Sequence, residues 1–413
     1  MNRPIRYLLV THIPFVLNSE GQPVVDSLWA RDLTGLAKSV GPIHVVAPQL
    51  ESLKTLGPNP EAISSMTGIV FRGFPPMKSA RSLATILKIR KVLREEVKLA
   101  DVVHTSNFFP PYTCLAYAHD LAVRLGKKTV FVIAEDFHDM LSWEWVRPSL
   151  GLNRWRRERS LRAMDSLTRK CAGTASLTMM HTPAAVERYR LSARNSVMIR
   201  QPGHEESQVI DAKVLNARLS SLGRGRALQL TTACRHASLK GLDLLIRAIG
   251  LLRERGTIVY ANLYGSGPET ERLRQLTVAL GVAHLVQLPG SLAVGEQLDK
   301  ALRESDLFVM PHRTTDFGRA FFDAMAAGLP VLAFRTPASA ATIYDGQDGF
   351  LTPLDDVQGL AERIAMLDRE RFLLGDASIE ARRRALNNTR SEWYRMRAEW
   401  TFSLLEENQN AAA

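Results

Sequence analysis

The chain has 413 residues, of which 46% are hydrophobic and 23% charged, and its 53 lysines and arginines against 42 acidic residues give a formal net charge of +11. This is globular composition, long enough for two cores, and it excludes a disordered chain. The three scattered cysteines exclude a disulfide framework and a cysteine-based metal site. The excess of cations favours an anionic partner, such as a phosphorylated metabolite, nucleic acid or the anionic face of a membrane.

Apolar runs in the sequence are all short. None reaches the roughly 20 residues needed to cross a bilayer, and the apolar part of the start, MNRPIRYLLVTHIP, is too short for a signal peptide. We therefore expect a cytoplasmic protein.

The first half alternates short apolar runs with amphipathic helical patterns. The runs are predicted strands and the patterns between them predicted helices, in the order 5–14, 24–41 (helix), 43–48, 101–107, 112–126 (helix) and 128–136. Such alternation indicates parallel strands joined by helical crossovers.

The same alternation restarts in the second half. Predicted strands and helices follow one another at 227–235, 240–256 (helix), 258–267, 268–281 (helix), 285–290, 307–312 and 329–334. The sequence therefore predicts an α/β protein with two doubly wound, Rossmann-like domains. We place the domains at 1–205 and 226–389 and a linker at 206–225, and expect a last helix at about 390–413 to pack back on the first domain.

Loops that follow strands are the first place to look for a site, because doubly wound sheets bind ligands beyond the carboxyl ends of their strands. Arg235 and Lys240 follow the strand at 227–235, and Gly241 begins the next helix. Two cations beside a helix N-terminus suit a diphosphate. A solvated basic turn is the alternative.

The stretch TTDFGRAFFDAMAAGLPVLAF, residues 314–334, reads as a turn, a short helix and a buried strand. Phe317 and Gly318 would form a tight turn, and Asp323 would lie about one and a half turns into the helix, where its carboxylate could accept hydrogen bonds from two vicinal hydroxyls. A capping or surface acid is the alternative interpretation.

A glycine-rich dinucleotide motif is absent from the sequence. Gly265 and Gly267 form only Gly-x-Gly, a pair that is usually a simple turn, so a nicotinamide or flavin dehydrogenase is disfavoured.

The second half resembles the retaining glycosyltransferases of family four, which have the B-type fold of two Rossmann domains facing across a cleft. The resemblance covers roughly residues 226–370 and is carried, in the family's order, by CRHASLKGLDLLIRAI, YGSGPETERL, MPHRTTDFGRAFFDAMAAGLPVLAF and YDGQDGFLTPLDD. It implies that residues 226–389 bind a nucleoside diphosphate sugar and that residues 1–205, which resemble the family more loosely, bind the acceptor.

The resemblance also implies roles for specific site residues. It implies donor contacts by Gly21, Arg235, Lys240, Gly265, Gly267, Phe317, Gly318, Arg319 and Asp323. Glu20 stands where the family has the first glycine of a pair, and an exposed helix arginine is the alternative reading of Arg319. His138 lies where the family often has a histidine facing the reacting sugar, with a structural histidine as the alternative.

The acid pair of the family is altered in this chain. The family has Glu, seven residues and Glu, and these positions are Thr315 and Asp323 here. Asp316, one residue later, could take the role of the missing carboxylate. Otherwise Thr315 acts as a weaker hydroxyl donor, or the protein binds a nucleotide sugar without transferring it.

The implied reaction transfers a sugar from a nucleoside diphosphate sugar to a glycan or lipid-linked acceptor with retention of configuration, in cell-surface polysaccharide or glycolipid synthesis. Arg235, Lys240 and helix N-termini would stabilise the leaving diphosphate, so no metal and no cofactor are expected. The sequence has no Asp-x-Asp and no cluster with metal-ligand spacing. The alternative is a catalytically impaired nucleotide-sugar-binding protein that acts as a scaffold or partner.

Two segments of the first half, 78–98 and 143–162, mix arginine and lysine with tryptophan, leucine and isoleucine. Such helices can lie on the anionic inner face of a membrane, with Trp143, Trp145 and Trp155 at its interface. A solvated helix face is the alternative. Nucleic acid is not expected as a partner, because no recognition helix, zinc spacing or basic tail is found.

Overall fold

The chain divides into two units, each with its own sheet. A computed structural model describes residues 5–56, 60–64, 67–76, 82–107, 113–134, 136–137, 151–223, 225–293, 295–313 and 318–410. The first unit is Met1–Ile199 with Trp393–Ala413, and the second is Arg200–Glu392.

The first unit is built on a mainly parallel sheet. Its described strands are β1 Tyr7–Val10, β2 Phe15–Leu17, β3 Pro23–Asp26, β4 Ile43–Leu50, β5 Pro60–Ala62, β6 Ile69–Phe74, β7 Val102–Ser106, β8 Lys128–Ile133, β9 Leu177–Met180 and β10 Ser196–Met198. The parallel part runs β6-β4-β1-β7-β8-β9-β10, and β2, β3 and β5 extend it beyond β4. The order reverses at β1, as in a doubly wound sheet.

Helices cover both faces of this sheet. They are α1 Ser27–Val40, α2 Leu83–Leu99, α3 Cys114–Arg124, α4 Gly151–Thr174, α5 Pro183–Tyr189 and the last helix of the chain, α14 Arg390–Asn410. Buried side chains of α2, α3 and α4 share one apolar core with the strands. Those of α1 and α14 share the core on the other face.

The last helix is held on the first unit by close packing and by a buried polar cluster. Tyr394 lies against α1, where a Cβ added to Gly35 would be 2.6 Å from its ring. Arg397 is buried near Tyr7 and His104, whose hydroxyl and Nδ1 atoms are 2.7 Å apart. Burial lowers the pKa of His104 to about 3, and the charge of Arg397 acts in the same direction, so this imidazole is neutral.

The second unit is built on a wholly parallel sheet. Its strands are β11 Leu228–Ala233, β12 Val259–Tyr264, β13 Val286–Gly290, β14 Leu307–Met310, β15 Val331–Phe334 and β16 Gly349–Thr352, and they run β13-β12-β11-β14-β15-β16. Strands after β11 are added first on one side of it and then, from β14, on the other side. The position between β11 and β14 is therefore the topological switch point of a Rossmann sheet. The prediction of two doubly wound α/β domains is confirmed.

Helices of the second unit connect successive strands, except for the first one and the last two. They are α6 Ala212–Ser220, α7 Leu242–Glu254, α8 Thr270–Ala279, α9 Glu296–Arg303, α10 Arg319–Ala326, α11 Pro337–Thr342, α12 Val357–Arg369 and α13 Arg371–Leu386. The stretch 206–225 contains α6, whose Leu215 is buried, and Arg218 donates to the backbone oxygens of Ala327 and Gly328.

Candidate functional site at the carboxyl edge of the second sheet

The switch point of the second unit brings together the loops that follow β11 and β14. The first of these loops carries Arg235, which is exposed, and Lys240, which is half-buried. Gly241 ends it in the left-handed region, with φ +65°, and a Cβ there would lie 1.9 Å from the backbone oxygen of Pro311. The Arg313 N–H, in the second loop, donates to the Leu239 oxygen over 2.9 Å. Glycine at 241 is therefore required for the contact between the two loops.

Lys240 lies near the end of β11. Burial raises the pKa of the Cys234 thiol, and the positive charge of Lys240 lowers it, so the ammonium acts on the last residues of the strand. The thiol is accordingly protonated and is not a nucleophile. Lys240 is thus close enough for its charge to act at the end of β11, where the sequence predicts a diphosphate.

The third loop follows β12 and packs directly on the first. A Cβ at Gly265, where φ is +124°, would lie 1.9 Å from the Cys234 oxygen, and one at Gly267 would lie 2.4 Å from the His236 oxygen. The His236 N–H donates to the Ser266 oxygen over 3.1 Å. These two glycines permit a close backbone approach, which is more than a simple turn requires.

His236 fixes this contact between loops, and sequence reasoning missed it. Its ring is fully buried, with Nδ1 2.9 Å from the Thr270 hydroxyl, which also accepts the Gly267 N–H. Burial lowers the pKa of His236, so the ring is neutral and its role is packing and hydrogen bonding. The sequence signal that could have identified His236 is its position one residue after Arg235.

The two helices that flank the switch point, α7 and α10, begin without a side-chain cap, as do α8 and α9. The N-cap residues of α7 and α10 are Gly241 and Gly318, and no described side chain caps either helix. By contrast, the N-caps of α6, α11 and α12 carry side-chain caps from Asp211, Thr336 and Asp356. Uncapped N–H groups with a favourable dipole suit an anion.

Asp323 lies half-buried in the second turn of α10. Its carboxylate is directed at the backbone of Gly203, where an added Cβ would be 2.7 Å from Oδ1 and 3.1 Å from Oδ2. Asp323 is therefore neither the N-cap of its helix nor a fully solvated acid. Arg319, the first residue of the same helix, is half-buried too.

An ion pair that the sequence interpretation did not include joins the loops after β14 and β16. Arg313 Nε is 2.5 Å from Asp355 Oδ1, and its Nη1 donates to the Ser238 oxygen over 3.5 Å. Asp355 has φ +61°, an uncommon conformation for a residue with a Cβ. Arg313 thereby ties three loops together. Its position in a loop after a strand was the available signal, although no local pattern links it to Asp355, 42 positions away.

Four predicted residues, His138, Thr315, Asp316 and Phe317, lie outside the described residues, as do Trp143 and Trp145. Gly21 is described and belongs to the first unit. It lies in the turn between β2 and β3 with φ +75°, its N–H donates to the Asn18 oxygen, and a Cβ there would meet no described atom within 4 Å. The turn by itself accounts for glycine at this position.

Metal-ligand clusters and membrane spans were sought in the described part of the chain. No group of three or more His, Cys, Asp or Glu residues there is arranged to hold a metal ion. No described helix is both long and apolar enough to cross a bilayer.

The second unit is similar to a known family of domains. Residues 227–369 match the model of the family described as Glycosyl transferases group 1. A GDP-mannose-dependent alpha-(1-6)-phosphatidylinositol monomannoside mannosyltransferase of Mycolicibacterium smegmatis is 32% identical over 157 residues, which are 36% of this chain and 41% of the relative. The chain spans about two fifths of the length of the first curated relatives it matches.

Solved structures match over nearly the whole chain. Anabaena Alr3699/HepE in complex with UDP and glucose has a TM-score of 0.67 and 18% identity, covering 97% of this chain and 99% of that one. WaaG, a glycosyltransferase involved in lipopolysaccharide biosynthesis, has a TM-score of 0.62 and 17% identity, covering 96% and 99%. At these identities the likeness shows the fold, that of the B-type glycosyltransferases.

Proposed function

We propose that this chain, which has the B-type glycosyltransferase fold and carries a Glycosyl transferases group 1 domain at residues 227–369, transfers a sugar from a nucleoside diphosphate sugar to an acceptor hydroxyl. One observation carries the proposal. The loops after β11, β12 and β14 meet at the switch point of the second sheet, where two uncapped helix N-termini and the cations of Arg235 and Lys240 can receive a diphosphate.

The chemistry at this site is stabilisation of a leaving group. As the bond to the sugar breaks, the diphosphate gains negative charge, and preorganised N–H groups and cations lower the energy of that state more than of the bound donor. Lys240 acts as a point charge, and Arg235 can bind two oxygens at once. Asp323 is proposed to accept hydrogen bonds from the ribose hydroxyls. The proposed reaction retains configuration at the anomeric carbon and uses neither a cofactor nor a metal.

The acceptor is proposed to be a glycan or a lipid-linked molecule, in polysaccharide or glycolipid synthesis at the inner face of the membrane. Two similar proteins support this. One is named as a phosphatidylinositol mannoside mannosyltransferase, and another as a protein of lipopolysaccharide biosynthesis. The proposed contacts from the first unit are Gly21 and His138.

A second candidate, a nucleotide-sugar-binding protein that does not transfer sugar, is favoured by one specific feature. Thr315 stands where the family has its first glutamate, so this chain lacks a carboxylate there unless Asp316 supplies it. Donor hydrolysis by the purified chain separates the two candidates, because a pure binding protein leaves the donor intact. Hydrolysis that is lost in Asp316→Ala would assign the acid.

Calorimetric titration with GDP-mannose, UDP-glucose and other nucleotide sugars tests the proposed donor site. We expect one of them to bind, and Lys240→Ala to weaken its binding about tenfold, as for the loss of a charge-assisted contact. The control is Lys300→Ala, which removes an exposed lysine of α9 in the same unit. Absence of binding across the panel, or equal loss in both variants, would contradict the proposal.

A further inference from the structure

The outer face of α13, in the second unit, carries large apolar side chains next to charged ones. Phe372 and Ile379 are 65% and 49% exposed, and Asp376 and Arg383 are exposed on the same helix. At about 100° per residue, these four side chains fall within about 60° of one another around the helix axis. We call these four residues the α13 stripe.

The opposite face of α13 is the one that the fold uses. Its buried side chains belong to the two apolar cores of the second unit. They are Leu374, Ala377, Ser378, Ala381 and Ala385. The helix therefore has an inner face packed on its own unit and an outer, partly apolar face that no described residue covers.

Charges of opposite sign lie on the two sides of Ile379 in the α13 stripe. At about 1.5 Å per residue, Asp376 lies about 4.5 Å before Ile379 along the helix, and Arg383 lies about 6 Å after it. Among the described residues, none forms a hydrogen bond or ion pair with the side chain of Asp376. Arg383 pairs with Glu380 of its own helix, and its side chain is 65% exposed. Both charges are thus accessible to a partner.

A second, antiparallel α13 fits this order of side chains. With a two-fold axis at Ile379, the two Ile379 side chains meet, and Asp376 of each copy falls within about 1.5 Å of the level of Arg383 of the other. Phe372 lies about 10.5 Å before the axis and Leu386, which is half-buried, about 10.5 Å after it. These two side chains therefore face each other as well. The surface is self-complementary, as a two-fold contact between identical chains requires.

The helix α6 runs antiparallel to α13 on the same unit. Near the end of α13, Arg382 Nε donates to the Ile210 oxygen over 2.7 Å. Near its start, Arg371 Nη1 donates to the Gly223 oxygen over 3.2 Å. Val214, which is 54% exposed, is therefore about level with the middle of α13. It adds a further exposed apolar side chain at the level where the two-fold axis passes.

We propose that the α13 stripe is the contact surface of a two-fold dimer of this chain. An anionic membrane or a nucleic acid would favour a surface with an excess of cations, whereas the stripe carries one charge of each sign. A second copy supplies the opposite order of charges by symmetry alone. The inference goes beyond the proposed function and does not depend on it.

Analytical ultracentrifugation of the full chain tests whether the dimer forms. We expect monomer at about 1 µM and a rising share of dimer toward about 200 µM, because a contact of this kind is at the small end of specific interfaces. A chain that is monomeric over this whole range overturns the inference.

Exchange of the two charges tests the pairing itself. Asp376→Arg places cations opposite each other at two points of the contact, and should weaken the dimer at least about tenfold. The double variant Asp376→Arg with Arg383→Asp has the net charge of the wild type and restores the opposite signs, so we expect it to dimerise again. Failure of this rescue, with both variants folded by circular dichroism, overturns the pairing.

The apolar centre gives an independent variant. Ile379→Glu would bring two carboxylates together at the axis and should abolish the dimer. The control is Val278→Glu in α8, at a residue of the same unit that is 70% exposed, and it should leave the dimer unchanged. A dimer that survives both Asp376→Arg and Ile379→Glu uses another surface and overturns the inference. Nucleotide-sugar binding, measured on the same variants, reports separately on the proposed function.

Discussion

At the residue scale, the carboxylate of Asp323 owes its position to the lack of a side chain at Gly203. An added Cβ would be 2.7 Å from Oδ1, closer than real Cβ contacts allow. Since the carboxylate is the end of a side chain, it would move while the backbone stays. Gly203 thus offers a way to displace the proposed ribose contact without removing its charge.

We predict that Gly203→Ala weakens nucleotide-sugar binding about fivefold, which corresponds to about 1 kcal/mol. The control is Gly223→Ala, in the same unit, where a Cβ would meet no described atom within 4 Å. Calorimetric titration of both variants checks this. Equal affinities would mean that the carboxylate of Asp323 does not contact the donor.

Gly265 gives a second residue-scale prediction. We expect Gly265→Ala to lower the free energy of unfolding by about 3 kcal/mol or more, because a Cβ would overlap the Cys234 oxygen and φ is +124°. Gly256→Ala has a similarly unfavourable φ of +78° but open space around it, and should cost only about 1–2 kcal/mol. Urea unfolding measures both. Similar losses would show that the loop after β12 can move.

The Gly-x-Gly motif pointed to Gly265 and Gly267 but did not show why glycine is needed at these positions. The motif predicted a turn, whereas the contacts with Cys234 and His236 show packing between two loops. That packing joins residues about 30 positions apart, and a local pattern carries no information on such a pair. Arg313 and Asp355, 42 positions apart, were missed for the same reason.

At the element scale, α1 and α14 approach each other where Gly35 faces the ring of Tyr394. We predict that Gly35→Ala destabilises the first unit by about 1–3 kcal/mol, although alanine is the better helix former, because the buried ring must shift. Gly375→Ala in α13 is the matched control: its site is open, so the change should stabilise the protein by up to about 1 kcal/mol. Thermal unfolding followed by circular dichroism measures whether each variant is less or more stable than the wild type. A stabilising Gly35→Ala would contradict this packing.

The type of each element, helix or strand, was predictable where its periodicity was strong. The elements that pack against one another were harder to predict. The last helix was expected to pack on the first domain, and Trp393 and Trp400 do so beside the core that it shares with α1. Arg397, buried in the same helix near Tyr7 and His104, could not be foreseen from hydrophobic spacing, because a charged residue breaks that pattern.

At the scale of the whole molecule, two buried histidines make the folded state sensitive to acid. Burial lowers the pKa of His104 to about 3 and of His119 to about 4. Tyr7 and Arg397 surround the first ring, and Thr105, Thr174, Asp120 and Lys170 surround the second. Both are neutral in the folded chain and take up protons near pH 6.5 when unfolded.

Acid lowers the stability of the folded chain, because the pKa values of both histidines are lower in the folded state than in the unfolded state. Each histidine contributes stability that is fully present above about pH 6.5 and is lost as the pH falls toward 4 and 3, at about 1.4 kcal/mol per pH unit for each group. We predict a melting temperature that falls steadily below about pH 6, and a shallower fall in His119→Asn. Calorimetric scans between about pH 7 and pH 4 check this. Parallel slopes in the variant and the wild type would contradict it.

The α/β class and the two doubly wound domains followed from the alternation of apolar runs and helical patterns. Strand order did not, because the same alternation is compatible with several orders of crossover. In the strand order of the second sheet, β11 and β14 are neighbours. The predicted residues in the loops that follow these strands therefore lie close together at the switch point. The proposed roles of Thr315 and Asp316 in transfer remain predictions.

A crystal structure of the chain with UDP or GDP bound is the most direct test of the central claim. The account predicts that the diphosphate lies between the N-termini of α7 and α10, with Lys240 or Arg235 on its oxygens and Asp323 on the ribose. A diphosphate bound away from the switch point, with no contact from Lys240, Arg235 or Asp323 to the nucleotide, would contradict it.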